Sequence, residues 1–163
     1  MKRHTHSLFL ATGTLLLGLS ASAQEDFTGK VVGVSDGDTI KVLRLGQQVK
    51  VRLSGIDCPE KRQPFGKRAK RFTSDLVFAK TVTVKVQDID RYKRIVGEVI
   101  LKDGTSLNQE LVRAGLAWWY QRYAPDDKQL ERLEQLARKN KHGLWADPDP
   151  VPPWEFRKKR RKR

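Results

Sequence analysis

Two short segments of the chain bring carboxylates, an arginine and turn-forming residues close together. The first spans residues 36–39 and reads Asp-Gly-Asp-Thr; the second spans residues 52–60 and reads Arg-Leu-Ser-Gly-Ile-Asp-Cys-Pro-Glu. Carboxylate oxygens are hard ligands that suit Ca²⁺ or Mg²⁺, and an arginine beside such an ion suits a phosphate group. These segments therefore predict a metal-assisted site that acts on a phosphate-containing molecule.

Each half of this pattern also has an ordinary explanation as a turn. Asp and Gly are common turn residues, Asp57 precedes a Pro turn, and an arginine such as Arg52 on a strand is usually a solvated charge. Pairing across one sheet favours a site instead, because neighbouring ends of a hairpin lie side by side. Asp38 opens one predicted strand and Asp57 follows the next, so both are predicted to reach one ion, with Glu60 facing it. Asp36 is interpreted as a turn residue behind the direct ligands.

A third segment, residues 90–94, links two predicted strands and supplies a second arginine, Arg94. Two arginines and clustered carboxylates are the groups needed for in-line attack on a phosphodiester. Tyr92, between Arg91 and Arg94, is the best candidate for stacking on a base. The alternative for Arg94 is an exposed loop cation.

The elements around these segments are indicated by the alternation of apolar and polar residues, which is typical of strands. Strands are predicted at residues 27–34, 39–45, 49–53, 81–86 and 95–101, and amphipathic helices beginning near residues 65, 107 and 128. This order predicts an α+β fold that is mainly β, a five-stranded antiparallel OB-fold barrel with three helices. A barrel this small is filled by side chains, so its ligands must bind to the outer face and the loops.

The ends of the chain differ from its body. Residues 1–23 combine a basic start, an uncharged apolar run and an Ala-x-Ala pattern, which predicts a signal peptide; an uncleaved N-terminal anchor is the alternative. Residues 24–147 are predicted to form one domain, and residues 148–163 a Pro-rich segment followed by a disordered basic tail. We therefore expect a secreted or periplasmic monomer with no membrane span once the signal is cleaved.

The net charge of +14 points to nucleic acid as the partner. Seven consecutive basic residues, 157–163, carry much of that charge. Such a tail increases nonspecific attraction to polyanions or an anionic cell surface. Because it contains no carboxylate and no aromatic residue, it is not expected to take part in chemistry.

Cysteine and tryptophan residues have other interpretations. Cys58 is the single cysteine, so an internal disulfide is excluded. A Cys–His nucleophile is poorly supported, since the only histidine in the body of the chain is His142, at a predicted helix end. The four tryptophans at positions 118, 119, 145 and 154 lie away from the three segments, and Trp145, after the predicted helix end, is interpreted as a core or cap residue.

Four motifs in order resemble the staphylococcal-nuclease-like family, also called thermonucleases, over Phe27 to Trp145. They are V-S-D-G-D-T at residues 34–39, R-L-S-G-I-D-C-P-E at residues 52–60, D-R-Y-x-R at residues 90–94, and L-N-Q-E-L-V-R-A-G-L-A at residues 107–117. The resemblance implies an OB-fold barrel with three helices. It also implies a Ca²⁺-dependent phosphodiesterase that acts on DNA and RNA and leaves 3′-phosphate ends.

The resemblance further implies a role for each site residue. Asp38 and Asp57 match the carboxylates that hold the metal, with the backbone carbonyl of Cys58 completing the protein ligands; Ca²⁺ is favoured over Mg²⁺. Glu60 matches the carboxylate taken as general base or water-orienting group. Arg52 and Arg94 match the two arginines that bind phosphate and stabilise the transition state.

Substrate contacts follow from the same resemblance. Tyr92 matches a nucleotide-contacting tyrosine and Tyr123 one that stacks near the base, and Arg91 is placed with them in the substrate-binding group. We expect single-stranded DNA and RNA as substrates, and possibly duplex DNA. In contrast with many family members, Lys93 stands where they carry Gly, and the segment 61–66 is short.

Two other functions fit parts of the sequence. A noncatalytic OB-fold binding module needs basic and aromatic residues, but it does not need Asp38, Asp57 and Glu60 together. A surface-adhesion protein would place all of its affinity in the basic tail. The presence of all three carboxylates alongside Arg52 and Arg94 favours the nuclease.

Overall fold

A closed barrel is the centre of the computed structural model, which describes residues 25–161. The strands are β1 (Phe27–Asp36), β2 (Thr39–Arg44), β3 (Gln47–Leu53), β4 (Ile56–Asp57), β5 (Thr81–Ile89), β6 (Ile95–Ile100) and β7 (Trp118–Trp119). The α-helices are α1 (Gly66–Val77), α2 (Leu107–Arg113), α3 (Lys128–Lys139) and α4 (Pro153–Arg161), with a 3₁₀ turn at Gly143–Ala146. The mainly-β α+β class and the five-stranded barrel predicted from the sequence are therefore confirmed.

The strand order around the barrel is β1-β2-β3-β6-β5, and β5 returns to pair with β1. The prediction of a fully antiparallel barrel is wrong at one seam, because β3 and β6 run parallel. Between these strands the chain passes through β4, α1 and β5. A connection of this length is what parallel neighbours require. The remaining two strands, β4 and β7, form a small antiparallel sheet of their own.

Apolar residues at alternate strand positions fill the barrel, as the period-two pattern predicts. The fully buried strand residues include Val31, Ile40, Val42, Val51, Leu53, Val82, Val84 and Val99. The helices α1, α2 and α3 bury one face each against this core through Ala69, Val77, Leu107, Leu111, Leu130 and Leu133.

Two of the helices begin at side chains that cap them. The Ser106 side chain accepts a hydrogen bond from the Gln109 backbone N–H at 3.4 Å, and the Asp127 side chain accepts one from Leu130 at 2.9 Å. Both satisfy amide groups that the helix itself leaves unpaired. These caps fix where α2 and α3 begin.

The helix count and the predicted disordered tail are both corrected by α4. Four α-helices, rather than three, lie within residues 25–161, and Arg157–Arg161 belong to the fourth. Pro153 is its first residue, the position where a missing N–H and a fixed φ are tolerated in a helix. The predicted signal peptide, residues 1–23, lies outside the described residues. Within residues 25–161, no helix combines the length and apolar character needed to span a membrane.

Candidate active site

The pairing of β2 with β3 brings Asp38 and Arg52 together. Thr39 lies opposite Arg52 in the ladder, and the Leu53 N–H donates to the Asp38 carbonyl at 2.8 Å. The Arg52 guanidinium then forms ion pairs with both Asp38 and Asp57, the second at 2.7 Å. The side chain of Asp57 is fully buried and that of Asp38 is nearly so. Hairpin geometry predicted that Asp38 and Asp57 lie side by side, and both contact the same guanidinium; that this group is Arg52 was not predicted.

Asp57 is fixed from behind by the two-stranded sheet. It lies in β4 directly opposite Trp118 of β7. The next residue, Cys58, donates its backbone N–H to Asp38 Oδ2 at 2.7 Å. Asp38 also accepts a hydrogen bond from the Thr39 hydroxyl at 3.1 Å. The interpretation of the tryptophans as distant from the motifs is thus wrong for Trp118, whose strand of two residues is too short for a periodic signal.

Glu60 is held by the short segment that leads into α1. Its N–H donates to the Gln63 side chain at 3.1 Å, and its carbonyl accepts from the Gln63 N–H at 2.8 Å. A Cβ on Gly66 would lie 1.9 Å from the Glu60 carbonyl oxygen, so only glycine allows α1 to begin this close. The backbone of Glu60 is therefore tightly constrained.

A buried amide links the site to the barrel wall. Asn108 of α2 accepts from the Val99 N–H at 3.1 Å and donates to the Ser54 carbonyl at 2.9 Å. These bonds tie β6 to the turn that precedes β4. The motif that contains Asn108 was part of the family resemblance, but no role for this residue had been predicted.

Sequence reasoning missed Arg157, which α4 inserts between Asp57 and Glu60. Its Nη2 lies 2.7 Å from Asp57 Oδ2, and its Nη1 lies 3.2 Å from Asp57 Oδ1 and 2.9 Å from Glu60 Oε1. The prediction of a disordered, solvated tail is therefore wrong for this residue, which contacts two of the predicted site carboxylates. The sequence signal for this helix is the pair Pro153-Trp154, shortly before Arg157. Pro153 begins the helix, and Trp154 packs against Tyr120.

The charges of this region are strongly coupled. Burial lowers the pKa of Arg52, but Asp38 and Asp57 outweigh it and raise that pKa overall. For Arg157, burial again lowers the pKa, and the hydrogen bonds that it donates to Asp57 and Glu60 raise the pKa by more than burial lowers it. The pKa of Asp36 is raised by its burial and then by the nearby charges of Asp38 and Glu60. Asp36 is therefore close enough to Asp38 and Glu60 for their negative charges to act on it, which is consistent with a position behind the predicted ligands.

Arg94 occupies a separate, local arrangement. Its Nε and Nη2 lie 2.7 Å from Asp90 Oδ2, and the same carboxylate accepts from the Tyr92 and Arg94 N–H groups at 2.9 and 3.0 Å. Lys93 has φ +59°, the left-handed conformation that the expected Gly would adopt without strain. The β3–β6 pairing sets Val51 opposite Ile95, so this loop adjoins the barrel edge that carries Arg52.

The predicted substrate-binding aromatic residues lie at the surface. Tyr92 is 62% exposed, and its hydroxyl accepts a hydrogen bond from Arg91 at 2.9 Å. Tyr123 is 69% exposed and meets Tyr120 edge-on at 4.9 Å between ring centroids. Tyr120 in turn stacks on Trp154 of α4 at 5.0 Å. Tyr123 is therefore close to α4, whereas Tyr92 belongs to the loop of Arg94.

The Cys58 thiol faces the core. A Cβ on Gly37 would lie 2.9 Å from its sulfur, so the thiol packs against this turn. Burial, followed by the charge of Asp38, raises the pKa of the thiol well above its ordinary value. A neutral, buried thiol is inert as a nucleophile, which leaves the backbone carbonyl as the group of Cys58 available to a cation.

Asp38, Asp57 and Glu60, which we term the carboxylate cluster, have the chemistry of a hard-cation site. Asp38 and Asp57 share one guanidinium and Asp57 and Glu60 share another, so each pair already converges on a positive charge. Oxygen donors of this kind suit Ca²⁺ or Mg²⁺. Within residues 25–161, no three His, Cys, Asp or Glu side chains stand in a ready-made ligand arrangement. The three carboxylates are arranged around the guanidinium groups of Arg52 and Arg157.

Comparison with known proteins identifies the family of the chain. Residues 50–147 match the family model described as staphylococcal nuclease homologue. The chain is 48% identical over 132 residues to a protein of Escherichia coli named uncharacterized endonuclease, covering 81% of this chain and 86% of that protein. It is 38% identical over 167 aligned residues to a protein of Shigella flexneri named micrococcal nuclease, covering 97% and 96%. On this evidence the chain belongs to the staphylococcal nuclease homologue family.

Proposed function

We propose that this protein is a secreted or periplasmic nuclease that hydrolyses phosphodiester bonds of DNA and RNA with Ca²⁺ as its cofactor. The observation that carries the proposal is the convergence of the carboxylate cluster and Arg52 at one edge of the barrel. Family membership and relatives named as nucleases support the reaction class. The net charge of +14 supports a polyanionic substrate.

The members of the carboxylate cluster have two roles, metal binding and activation of water. Asp38, Asp57 and the carbonyl of Cys58 would hold Ca²⁺, which when bound offsets negative charge on the phosphoryl oxygens. Glu60 accepts the proton of the attacking water and must be ionised to do so. Its constrained backbone favours a fixed position for this base.

The arginines bind the phosphate. Arg52, already held by two carboxylates, presents a preorganised guanidinium to the nonbridging oxygens as they gain charge. Arg94 supplies the second guanidinium when it exchanges Asp90 for the phosphate. Cleavage on the 5′-oxygen side then leaves 3′-phosphate ends.

Single strands are the proposed substrates, with low sequence specificity. The exposed rings of Tyr92 and Tyr123 suit stacking on unpaired bases, which is tolerant of base identity. Arg91 lies with its guanidinium 4.9 Å from the Tyr92 ring centroid and can reach the adjoining backbone. A monomer is sufficient, because every group invoked comes from one chain.

The direct test is digestion of single-stranded DNA and RNA with Ca²⁺, with Mg²⁺ and with chelator, followed by analysis of the product ends. The proposal expects cleavage with Ca²⁺, none with chelator, and 3′-phosphate ends. Binding without cleavage under every condition would instead support a noncatalytic OB-fold module.

Glu60→Gln separates catalysis from binding. Loss of the general base should lower turnover by about 10²–10⁴-fold, with little change in affinity for single-stranded DNA. Near-normal turnover would exclude this role for Glu60. Asp38→Asn is the companion variant and should raise the Ca²⁺ concentration needed for activity.

A further inference from the structure

Arg157 enters the candidate site from outside the segment that matches the family model, which ends at residue 147. Its guanidinium contacts both oxygens of Asp57 and one oxygen of Glu60. A hundred residues separate Arg157 from Asp57 along the chain. This contact therefore depends on how α4 is packed.

The N-terminal end of α4 packs against aromatic residues that lie next to Asp57. Pro153 is buried, and Trp154 stacks on Tyr120 with planes 6° apart. The Trp154 ring also meets Trp118 edge-on at 5.6 Å between centroids, and Trp118 lies opposite Asp57 in the β4–β7 pair. Stacked and edge-on rings each add stabilisation beyond burial.

A second connection fixes the segment just before α4. Gln63 donates its side-chain amide to the Val151 carbonyl at 2.6 Å and accepts from the Glu60 N–H at 3.1 Å. The buried side chain of Gln63 thus links the backbone of Glu60 to the segment that leads into α4. Arg157 is delivered to the carboxylates by packing and hydrogen bonding at two points.

The oxygens that Arg157 uses are those a divalent cation would need. Asp57 Oδ1 accepts from Arg52 at 2.7 Å and Asp57 Oδ2 from Arg157 at 2.7 Å, so guanidinium groups occupy both oxygens. Glu60 Oε1 is taken by Arg157 as well. A cation and Arg157 carry like charges and share these ligands, so tight binding of one opposes binding of the other.

We propose that Arg157 is an active-site residue, a tethered cation that competes with the divalent metal for Asp57 and Glu60. The proposal rests on the proposed function, because it takes the carboxylate cluster as the metal site. Arg157 neutralises the cluster in the metal-free protein and sets the metal concentration at which the enzyme becomes active. Metal binding displaces its side chain from the carboxylates.

Calorimetric titration of the metal-free protein with Ca²⁺ alone tests this, without substrate. Arg157→Gln should bind Ca²⁺ at least about tenfold more tightly than the wild type, the effect of relieving roughly one charge-assisted contact. Arg160→Gln is the matched control: it removes the same charge from an exposed position of the same helix and should change affinity less than about twofold. General damage to the fold weakens metal binding, so a gain in affinity is diagnostic.

Two further variants keep the result interpretable. Trp154→Ala loosens α4 without touching Arg157 and should also tighten Ca²⁺ binding, which covers the case in which Arg157→Gln fails to fold. Arg157→Lys keeps the charge but loses the two-nitrogen contact, so its affinity should lie between those of the wild type and Arg157→Gln.

The outcomes separate this inference from the proposed function. Equal or weaker Ca²⁺ binding by Arg157→Gln, with binding intact in the wild type, overturns the competition alone. Absence of Ca²⁺ binding in the wild type and in every variant overturns both the competition and the proposed metal site. Binding by Arg157→Gln where the wild type shows none supports the competition strongly.

Discussion

The two arginines expected to bind phosphate are held in opposite ways. Arg52 lies between Asp38 and Asp57, whose side chains are 4% and 0% exposed; Asp38 is in the turn before β2, and Asp57 is in β4 of the small two-stranded sheet. Arg94 pairs with Asp90, four residues earlier in the same loop, and that carboxylate is 20% exposed. The ion pairs of Arg52 form only when the fold brings separate elements together, whereas the Arg94–Asp90 pair needs only the local turn of one loop.

This difference suggests a division of labour. A guanidinium between two buried carboxylates cannot leave without uncovering their charges, so Arg52 is a fixed part of the wall. A partly exposed pair within one loop is weak and easily exchanged. Arg94 is therefore the arginine that can move to a substrate, and the following variants test this contrast.

Arg52→Ala should produce the largest loss of stability. It leaves Asp38 and Asp57 buried beside each other without their shared cation, at a cost of about 3 kcal/mol or more in the free energy of unfolding. Urea denaturation in the presence of chelator measures this. Arg132→Ala, at an exposed position of α3, is the control and should change stability by less than about 0.5 kcal/mol. A loss for Arg52→Ala as small as that of the control would contradict the fixed role.

Arg94→Ala should lower stability much less, by about 0.5–1 kcal/mol, because it removes one partly exposed ion pair. Activity on single-stranded DNA should nevertheless fall strongly, because the contact proposed for Arg94 in the transition state is lost. The same denaturation and a turnover assay give both values. If Arg94→Ala destabilises the protein as much as Arg52→Ala, the two arginines are not held differently.

The Asp90 carboxyl should make the loop sensitive to acid. Its burial raises its pKa, but hydrogen bonds from the Arg94 backbone and side chain outweigh this and lower the pKa below the ordinary value. Its contribution to stability is thus complete above the unfolded pKa of about 3.9 and is lost as the pH falls through the folded value. The difference in melting temperature between wild type and Asp90→Asn should be constant near neutral pH and shrink below about pH 4. A difference that does not depend on pH would place the stabilisation elsewhere.

Lys93→Gly should give the smallest change, a gain of a few tenths of a kcal/mol. Relief of the left-handed conformation at Lys93 is partly offset by the greater freedom of glycine in the unfolded chain. Thermal unfolding measures the gain, and turnover shows whether a relaxed turn presents Arg94 equally well. A loss of stability would mean that Lys93 makes a contribution beyond its backbone.

Much of the barrel could be predicted from the sequence because its information is local. Alternation in β2 and β3 fixed which residues face inward, and hairpin geometry then brought Asp38 beside Arg52 and Asp57. The parallel seam between β3 and β6 could not be predicted in this way, since no periodic pattern encodes which strands meet when a barrel closes.

The missed parts of the site depend on contacts distant in sequence. Trp118 lies opposite Asp57 in a strand of two residues, and Arg157 reaches the same carboxylate from α4. A run of basic residues is usually solvated. The stacking of Trp154 on Tyr120 and the hydrogen bond from Gln63 to Val151, neither of which the sequence reveals, hold α4 so that the start of this run lies beside the carboxylates.

The β3–β6 seam has a consequence for how the protein refolds. Val51 and Ile95 are 44 positions apart in the chain, so their pairing costs more loop entropy than the hairpin of β2 and β3. An open form could keep that hairpin and the Asp90–Arg94 turn, yet the loop of Arg94 would not adjoin Arg52. During refolding, strand formation should therefore precede the recovery of activity. The delay between the two measures how long β3 and β6 take to pair and close the barrel.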